Sequence, residues 1–327
     1  LQAALRNIGK VRKVRDIDPE ESLATRAAWL HYAGGLTQAA VAKRLGVASV
    51  KAHRLIAKAA AEGVVKVSID GAIIECVELE DSLCDRFGLE FCDVAPDLGE
   101  PGMPLRALGQ AGADFIRREI ERKEHKVIGL GHGRTLSNAV RLMSRMDAGG
   151  VQFVSLLGGL TRNFSANPYD VMHRLAEKTA ASAFVMPVPF FANSSEDREV
   201  LLAQRGVQDV FDMANAADIK LVGIGTVEPQ AQLVSSGMIE LSEIQEIKAG
   251  GGVGEMLGHF FDASGRTLET TLTARTLAAT LDERADSQII AIAGGPEKIE
   301  AIRAILRSGR LRGLITDETT AHALTGA

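Results

Sequence analysis

The chain has no run of about 18 apolar residues, which excludes a membrane-spanning helix of ordinary length. It has no apolar stretch near its polar, basic N-terminus, so no secretory leader is expected; it begins at Leu1 rather than Met. Cysteine is scarce. Cys76, Cys84 and Cys92 are an odd number, eight residues apart, with no C-x-x-C pair. That excludes a disulfide framework and the usual zinc spacings, and predicts reduced thiols filling small core positions in a cytoplasmic protein. No G-K-[ST] closes a P-loop and no G-x-G-x-x-G is completed. No Ser/His/Asp or metal-ligand spacing stands out among His125, His132, His173 and His259, and no cofactor is implied. No solenoid repeat is evident.

What is present is an ordinary globular composition, 46% hydrophobic and 24% charged over 327 residues, enough for two domains. Charge is unevenly placed. Residues 1–70 hold 12 Lys and Arg against 6 Asp and Glu, while the whole chain carries −5, so the remainder carries −11. A small basic head on an acidic body fits a protein whose head meets nucleic acid. Residues 1–19 form a basic tail in which Arg6, Lys10, Arg12, Lys13 and Arg15 precede any acid.

The segment Thr37–Ile56 reads as two short helices around Gly46. Ala52, Leu55, Ile56 and Ala59 follow i, i+3, i+4, i+7, and Gly46 suits a left-handed helix end. A preceding helix over 19–33 braces them through Leu23, Ala27, Trp29 and Leu30, and Thr37 caps the second helix. This is a helix-turn-helix, whose second helix enters the DNA major groove. With its apolar face packed inward, Ser49, Val50, Lys51, His53, Arg54 and Lys58 point outward. Arg54 has the fork geometry for guanine, Lys51 suits guanine or phosphate, and Val50 suits a thymine methyl. Ser49 and Gln38 suit phosphate or base hydrogen bonds. Residues 64–70 read as a short strand, the wing of a winged helix. Residues 71–89 contain an amphipathic linker helix that joins domains or pairs subunits.

From residue 90 to 327 the pattern alternates apolar strand and helix: KVIGLG (126–131), VQFVSLLGG (151–159), SAFVMPVP (182–189), IKLVGIGT (219–226), QIIAIAGG (288–295) and LRGLITDE (311–318). Continuous apolar strands alternating with helices predict an α/β fold with a doubly wound, mostly parallel sheet. Several strands end in glycines, and ligands of such sheets bind at the carboxyl ends of strands. In GLGHGRTLS (129–137), Gly131 and Gly133 allow close backbone approach, Thr135 opens a helix whose free N–H groups suit an anion, and Arg134 adds a fixed charge. The Gly225-Thr226 turn lies in a second such loop. Lys298 follows Gly294-Gly295 and reaches a phosphate or hydroxyl. Glu255, in the glycine-rich loop GGVGE, suits sugar hydroxyls, and Asn167 precedes a helix. Asp317 and Glu318 suit capping and turn roles.

LTQAAVAKRLGV, GLGHGRTLS, NPYDVMHRLAEKTAASAFVMPVP, ADIKLVGIGT, GHFFDASGR and IAIAGGPEKIEAIRAILRSGRLRGLITDETTAHAL together resemble the SorC family of sugar-binding bacterial transcriptional regulators. The resemblance runs from about residue 20 to 326, and within the family the chain is similar to regulators of erythritol catabolism. It implies a helix-turn-helix head and an effector domain related to sugar-phosphate isomerases and glucosamine-phosphate deaminases without their activity. It also implies a homotetramer that binds operator DNA under control of a phosphorylated sugar or polyol. Carried over by position, its ligand contacts fall on Arg134 and Thr135, Asn167, Gly225 and Thr226, Glu255 and Lys298. The chain departs from the family at Ala48-Ser49, where a Ser-Arg-like pair is usual, at Gly251-Gly252-Val253-Gly254-Glu255, and at His132. The expectation is therefore a metabolite-controlled transcriptional regulator and not an enzyme. The alternative is a sugar-phosphate isomerase or deaminase with an accessory DNA-binding head.

Overall fold

The computed structural model describes residues 18–65, 73–161, 167, 169–281 and 287–326. They fall into two compact units, divided at Asp70/Gly71.

In the first unit, α1 (Pro19–Ala28) starts at Asp18, whose carboxylate accepts the Glu20 N–H at 2.9 Å. It runs into a π-helical turn, Trp29–Ala33. The α2 helix (Gln38–Leu45) is capped by Thr37, whose hydroxyl accepts the Ala40 N–H, and ends on Gly46 at φ 65°. The α3 helix (Ser49–Ala61) follows. Ala24, Ala27, Ala28, Leu30, Val41, Ala42, Ala52, Leu55, Ile56 and Ala59 form the core of this head. Small alanines at the contacts let three short helices approach closely. The bracing expected of Trp29 does not occur: Trp29 is 66% exposed, beside the buried face that Ala24, Ala27, Ala28 and Leu30 form. Val64 and Val65 leave α3 without strand pairing; the rest of the expected wing, 66–70, and the tail through residue 17 lie outside the described residues.

In the second unit, α4 (Ile74–Phe87) buries Cys76, Leu79 and Leu83 against β1 (Phe91–Ala95) and the C-terminal helix Glu318–Thr325. The stretch read as a linker helix thus packs on the body. The α5 helix (Leu105–Arg122) precedes β2 (Val127–Leu130), α6 (Arg134–Leu142), β3 (Gln152–Ser155), α7 (Met172–Thr179) and β4 (Ala183–Phe184). Further along come β5 (Ile219–Val222), β6 (Gly225–Thr226), β7 (Gly252–Met256), β8 (His259–Asp262), β9 (Thr267–Leu268), β10 (Gln288–Ile292) and β11 (Gly313–Asp317). Seven strands form a parallel sheet in the order β1-β11-β10-β5-β2-β3-β4, and β6-β7-β8-β9 form a second, antiparallel sheet.

Alternate residues of each central strand feed opposite cores. Ile128, Leu130, Ile290, Ile292 and Ile315 pack with α5, α6 and α7. Ile289, Ala291 and Leu314 pack in the larger core with α4 and the helix Ile299–Arg307. Burial on both faces is why these strands read as unbroken apolar runs. Each fully buried Ile or Leu contributes roughly 1.5–3 kcal/mol, so the middle of the sheet is a rigid platform for the loops at its carboxyl edge. Cys76 and Cys92 are buried, Cys84 is half-buried, and burial pushes all three thiols up from their usual range.

Candidate functional site

On the head, Ser49, Val50, Lys51, His53 and Arg54 are exposed along α3, and Gln38 is exposed at the first turn of α2. Val50 is 73% exposed, which its apolar side chain tolerates only at a cost unless something covers it. Nδ1 of His53 lies 3.1 Å from Oε1 of Gln38, tying the two helices across the turn. Lys58 stands apart. It is half-buried, with its ammonium 3.7 Å from Glu20 on α1 and 4.0 Å from Glu62, so its charge is already engaged within the head. Ala48 at the N-cap of α3 supplies no side-chain hydrogen bond, leaving that first turn without a side-chain cap.

In the body, the chain steps from β2 outward to β3 and β4, and from the adjacent β5 the other way to β10 and β11. The loops after β2 and β5 therefore diverge, opening a crevice at the switch point of the sheet. Gly131, Gly133, Arg134, Thr135, Asn167, Gly225, Thr226, Glu255 and Lys298 all line one cavity of about 340 Å³ there. That volume suits a small metabolite. Gly133 has φ 136° and ψ 163°, a region open to glycine alone, and turns the chain into α6. Gly133 at the N-cap has no side chain to cap α6, so the helix's first N–H groups present positive potential beside Arg134. The Arg134 N–H has only a long contact, 3.4 Å, to Oε1 of Gln232.

Glu255 is not in a loop. It lies in β7, paired with Gly225 of β6, and is buried. Gly252 and Gly254 leave no room for side chains: a Cβ on Gly254 would stand 3.1 Å from Ala301, and one on Gly252 2.6 Å from Ile247. The glycines serve strand packing, and they set Glu255 against the cavity. Its Oε1 accepts the Gly258 N–H at 2.7 Å. Burial raises its pKa to about 7. Lys298, at the end of a 3₁₀ turn (Pro296–Lys298), donates to the Ile224 carbonyl at 2.6 Å. Burial, with Arg134 nearby, lowers its pKa to about 8. Each partly offsets the other's charge, and burial leaves both poised near neutrality beside the cavity.

Sequence reasoning missed much of the opposite wall. Glu228, Gln230, Gln232 and Ser236 come from one polar stretch after β6 and also line the cavity. The only signal was polarity following a glycine-ended strand. Asp317 and Thr320 close the neighbouring strand end: Asp317 caps the last helix, and its carboxylate accepts the Thr320 hydroxyl at 2.6 Å. Among the described residues, no group of three or more His, Cys, Asp or Glu is placed to hold a metal.

A raised carboxyl pKa makes a stability prediction. Below the ordinary carboxyl range Glu255 is protonated in both folded and unfolded chains. Its preference for the neutral form stabilises the fold most there, and that contribution is lost as pH rises through about 7. Glu255→Gln removes the penalty. The ligand-free body is expected to gain on the order of 2 kcal/mol at pH 8, less what Lys298 loses with its counter-charge, and nothing at pH 4. Urea melts of the two proteins at both pH values check this.

The family of sugar-binding domains matches residues 71–325. The chain is 67% identical over 309 residues to the erythritol catabolism regulatory protein EryD of Brucella abortus (strain 2308), covering 94% of this chain and 98% of that protein. This chain belongs to the SorC family of sugar-binding transcriptional regulators. It is also 36% identical to the transcriptional regulator LsrR of Klebsiella pneumoniae subsp. pneumoniae, over 93% of each protein. The solved full-length sorbitol operon regulator SorC of Klebsiella pneumoniae covers 94% of this SorC-family chain at 24% identity and a TM-score of 0.66, a likeness of fold. The relatives are named as regulators, and this family member is a regulator and not an enzyme. No described helix is long and apolar enough to cross a membrane.

Proposed function

We propose that this regulator binds operator DNA of a sugar or polyol catabolic operon, and that a phosphorylated sugar or polyol in the body's cavity changes that binding. The observation that carries the reading is the convergence of Arg134, the open end of α6 and Lys298 with Glu255 and Asn167 in one cavity. The first three suit a phosphate. Glu255 and Asn167 suit hydroxyls. The erythritol relative favours a four-carbon polyol or its phosphate as effector.

On the head, Gln38, Ser49, Val50, Lys51, His53 and Arg54 form the DNA-facing surface, while Lys58 braces α3 to α1 or meets backbone phosphate at the rim. The regulator acts in the cytoplasm as a homo-oligomer, a tetramer by family resemblance, so paired heads meet paired half-sites. The effector shifts a quaternary equilibrium only as far as it binds one state better than the other. A thermal-shift screen against phosphorylated sugars and polyols tests the site: at least one compound should raise the melting temperature in proportion to RT ln(1 + [L]/Kd). A flat response across the set contradicts the reading.

A further inference from the structure

We infer that His132 is a specificity-determining donor: its Nε2–H reaches an uncharged oxygen of the effector, a hydroxyl or carbonyl, with the tautomer set by Asn167. The inference rests on the effector reading of the cavity and assigns one of its walls.

Asn167 sets the geometry. Its Oδ1 accepts the Tyr169 N–H at 3.0 Å, which fixes the orientation of the amide. The atom 2.7 Å from Nδ1 of His132 is therefore the amide nitrogen, Nδ2. An amide NH₂ only donates, so Nδ1 accepts through its lone pair. The single proton of a neutral imidazole then sits on Nε2. The ring does stay neutral at working pH, since burial pulls its pKa down to about 4 against the opposing pull of Asp170.

Nε2 is buried and has no hydrogen-bond partner among the described residues, although His132 lines the cavity. An orphaned buried donor is costly, and proteins keep few of them. An effector oxygen in the cavity that His132 lines would supply the missing acceptor. Arg134, Lys298 and the end of α6 already supply positive charge for a phosphate. A neutral N–H adds direction without charge, which suits an uncharged oxygen elsewhere on the molecule. A site built to hydrogen-bond a particular group rejects analogues lacking it far more strongly than an apolar wall does. The resemblance to the family places no ligand contact on this position; the inference comes from the Asn167 hydrogen bond and the unpartnered Nε2.

The test is calorimetric titration of the full chain with two probes, erythritol 4-phosphate and inorganic phosphate. His132→Phe keeps a ring of similar size and deletes the donor. It should weaken erythritol 4-phosphate at least tenfold while leaving inorganic phosphate within twofold of wild type. His132→Gln, whose side-chain amide puts a donor at similar reach, should recover most of the loss. Equal affinity of the Phe variant for erythritol 4-phosphate overturns the role of His132 and leaves the cavity reading standing. An equal loss for both probes also overturns it, since His132 then only shapes the pocket. Wild-type protein that binds neither probe overturns the four-carbon phosphate reading on which this inference rests, and the inference with it; the wider cavity reading is decided by the thermal-shift screen. Nitrogen-15 spectra of wild-type protein need no variant: His132 should be the neutral Nε2–H tautomer at pH 7 and still uncharged at pH 5.5. An Nδ1–H tautomer or a charged ring contradicts the assignment.

Discussion

Lys298→Met should weaken binding of a phosphorylated effector by about 10- to 100-fold, while operator binding without effector stays at the wild-type level. A charge-assisted hydrogen bond contributes about 1.5–3 kcal/mol, and about 1.4 kcal/mol is tenfold. Methionine keeps the unbranched stem, so little packing is lost. What disappears is the ammonium on the Ile224 carbonyl at the cavity wall. The pH dependence carries the same signature. With its pKa lowered to about 8, free Lys298 gives up its proton above that value, and a phosphate must then bind a neutral amine or recruit a proton. Affinity should fall as pH rises from 8 to 9.5 in the wild type and stay flatter in Lys298→Met. Calorimetry at three pH values checks both. Unchanged affinity in the variant removes Lys298 from the site.

Arg54→Ala should lower operator affinity by about 1–3 kcal/mol and relax preference at the base pair it reads, with no change in the melting of the body. Arg54 is exposed on the outer face of α3, whose inner face is held by Ala52, Leu55 and Ile56. Truncating it leaves the head core intact. A Lys51→Ala variant separates base reading from charge. If Lys51 only neutralises a phosphate, its loss weakens all sequences alike and lowers the slope of affinity against salt by about one. Gel-shift titrations against operator and scrambled DNA at two salt concentrations distinguish the cases. Arg54→Ala binding with wild-type affinity and preference places the reading elsewhere on the helix.

The glycine-ended strands announced the cavity because their chemistry is local. A strand buried on both faces is apolar throughout, and a chain that must bring backbone to a ligand ends it in glycine. The positions chosen at those strand ends line one crevice, together with Asn167, picked for preceding a helix, and Glu255, picked for its glycine-rich surroundings. What the sequence hid is non-local. The α5 helix carries Gly109 and Gly112, which break its pattern. A Cβ on Gly109 would stand 2.2 Å from Nδ2 of Asn138 in α6, and one on Gly112 2.9 Å from Ile292. Those glycines mark a tight helix contact, not a weak helix. The same reason disguised β7 as a loop around Glu255. Trp29 misled in the other direction: small alanines, not the one large aromatic, fill the buried face of that helix. The polar wall of Gln230 and Gln232 becomes a wall only when β6 and β7 pair.

If the proposed function holds, occupancy of this cavity changes the affinity of the head for DNA. The most direct measurement is fluorescence anisotropy of labelled operator with full-length protein, titrated with the compound that the thermal screen finds to bind. Operator affinity is expected to change at least fivefold, about one to three kcal/mol of coupling, and Lys298→Met should shift that change to higher compound concentration. A compound that demonstrably fills the cavity yet leaves operator affinity unchanged would contradict the proposed function.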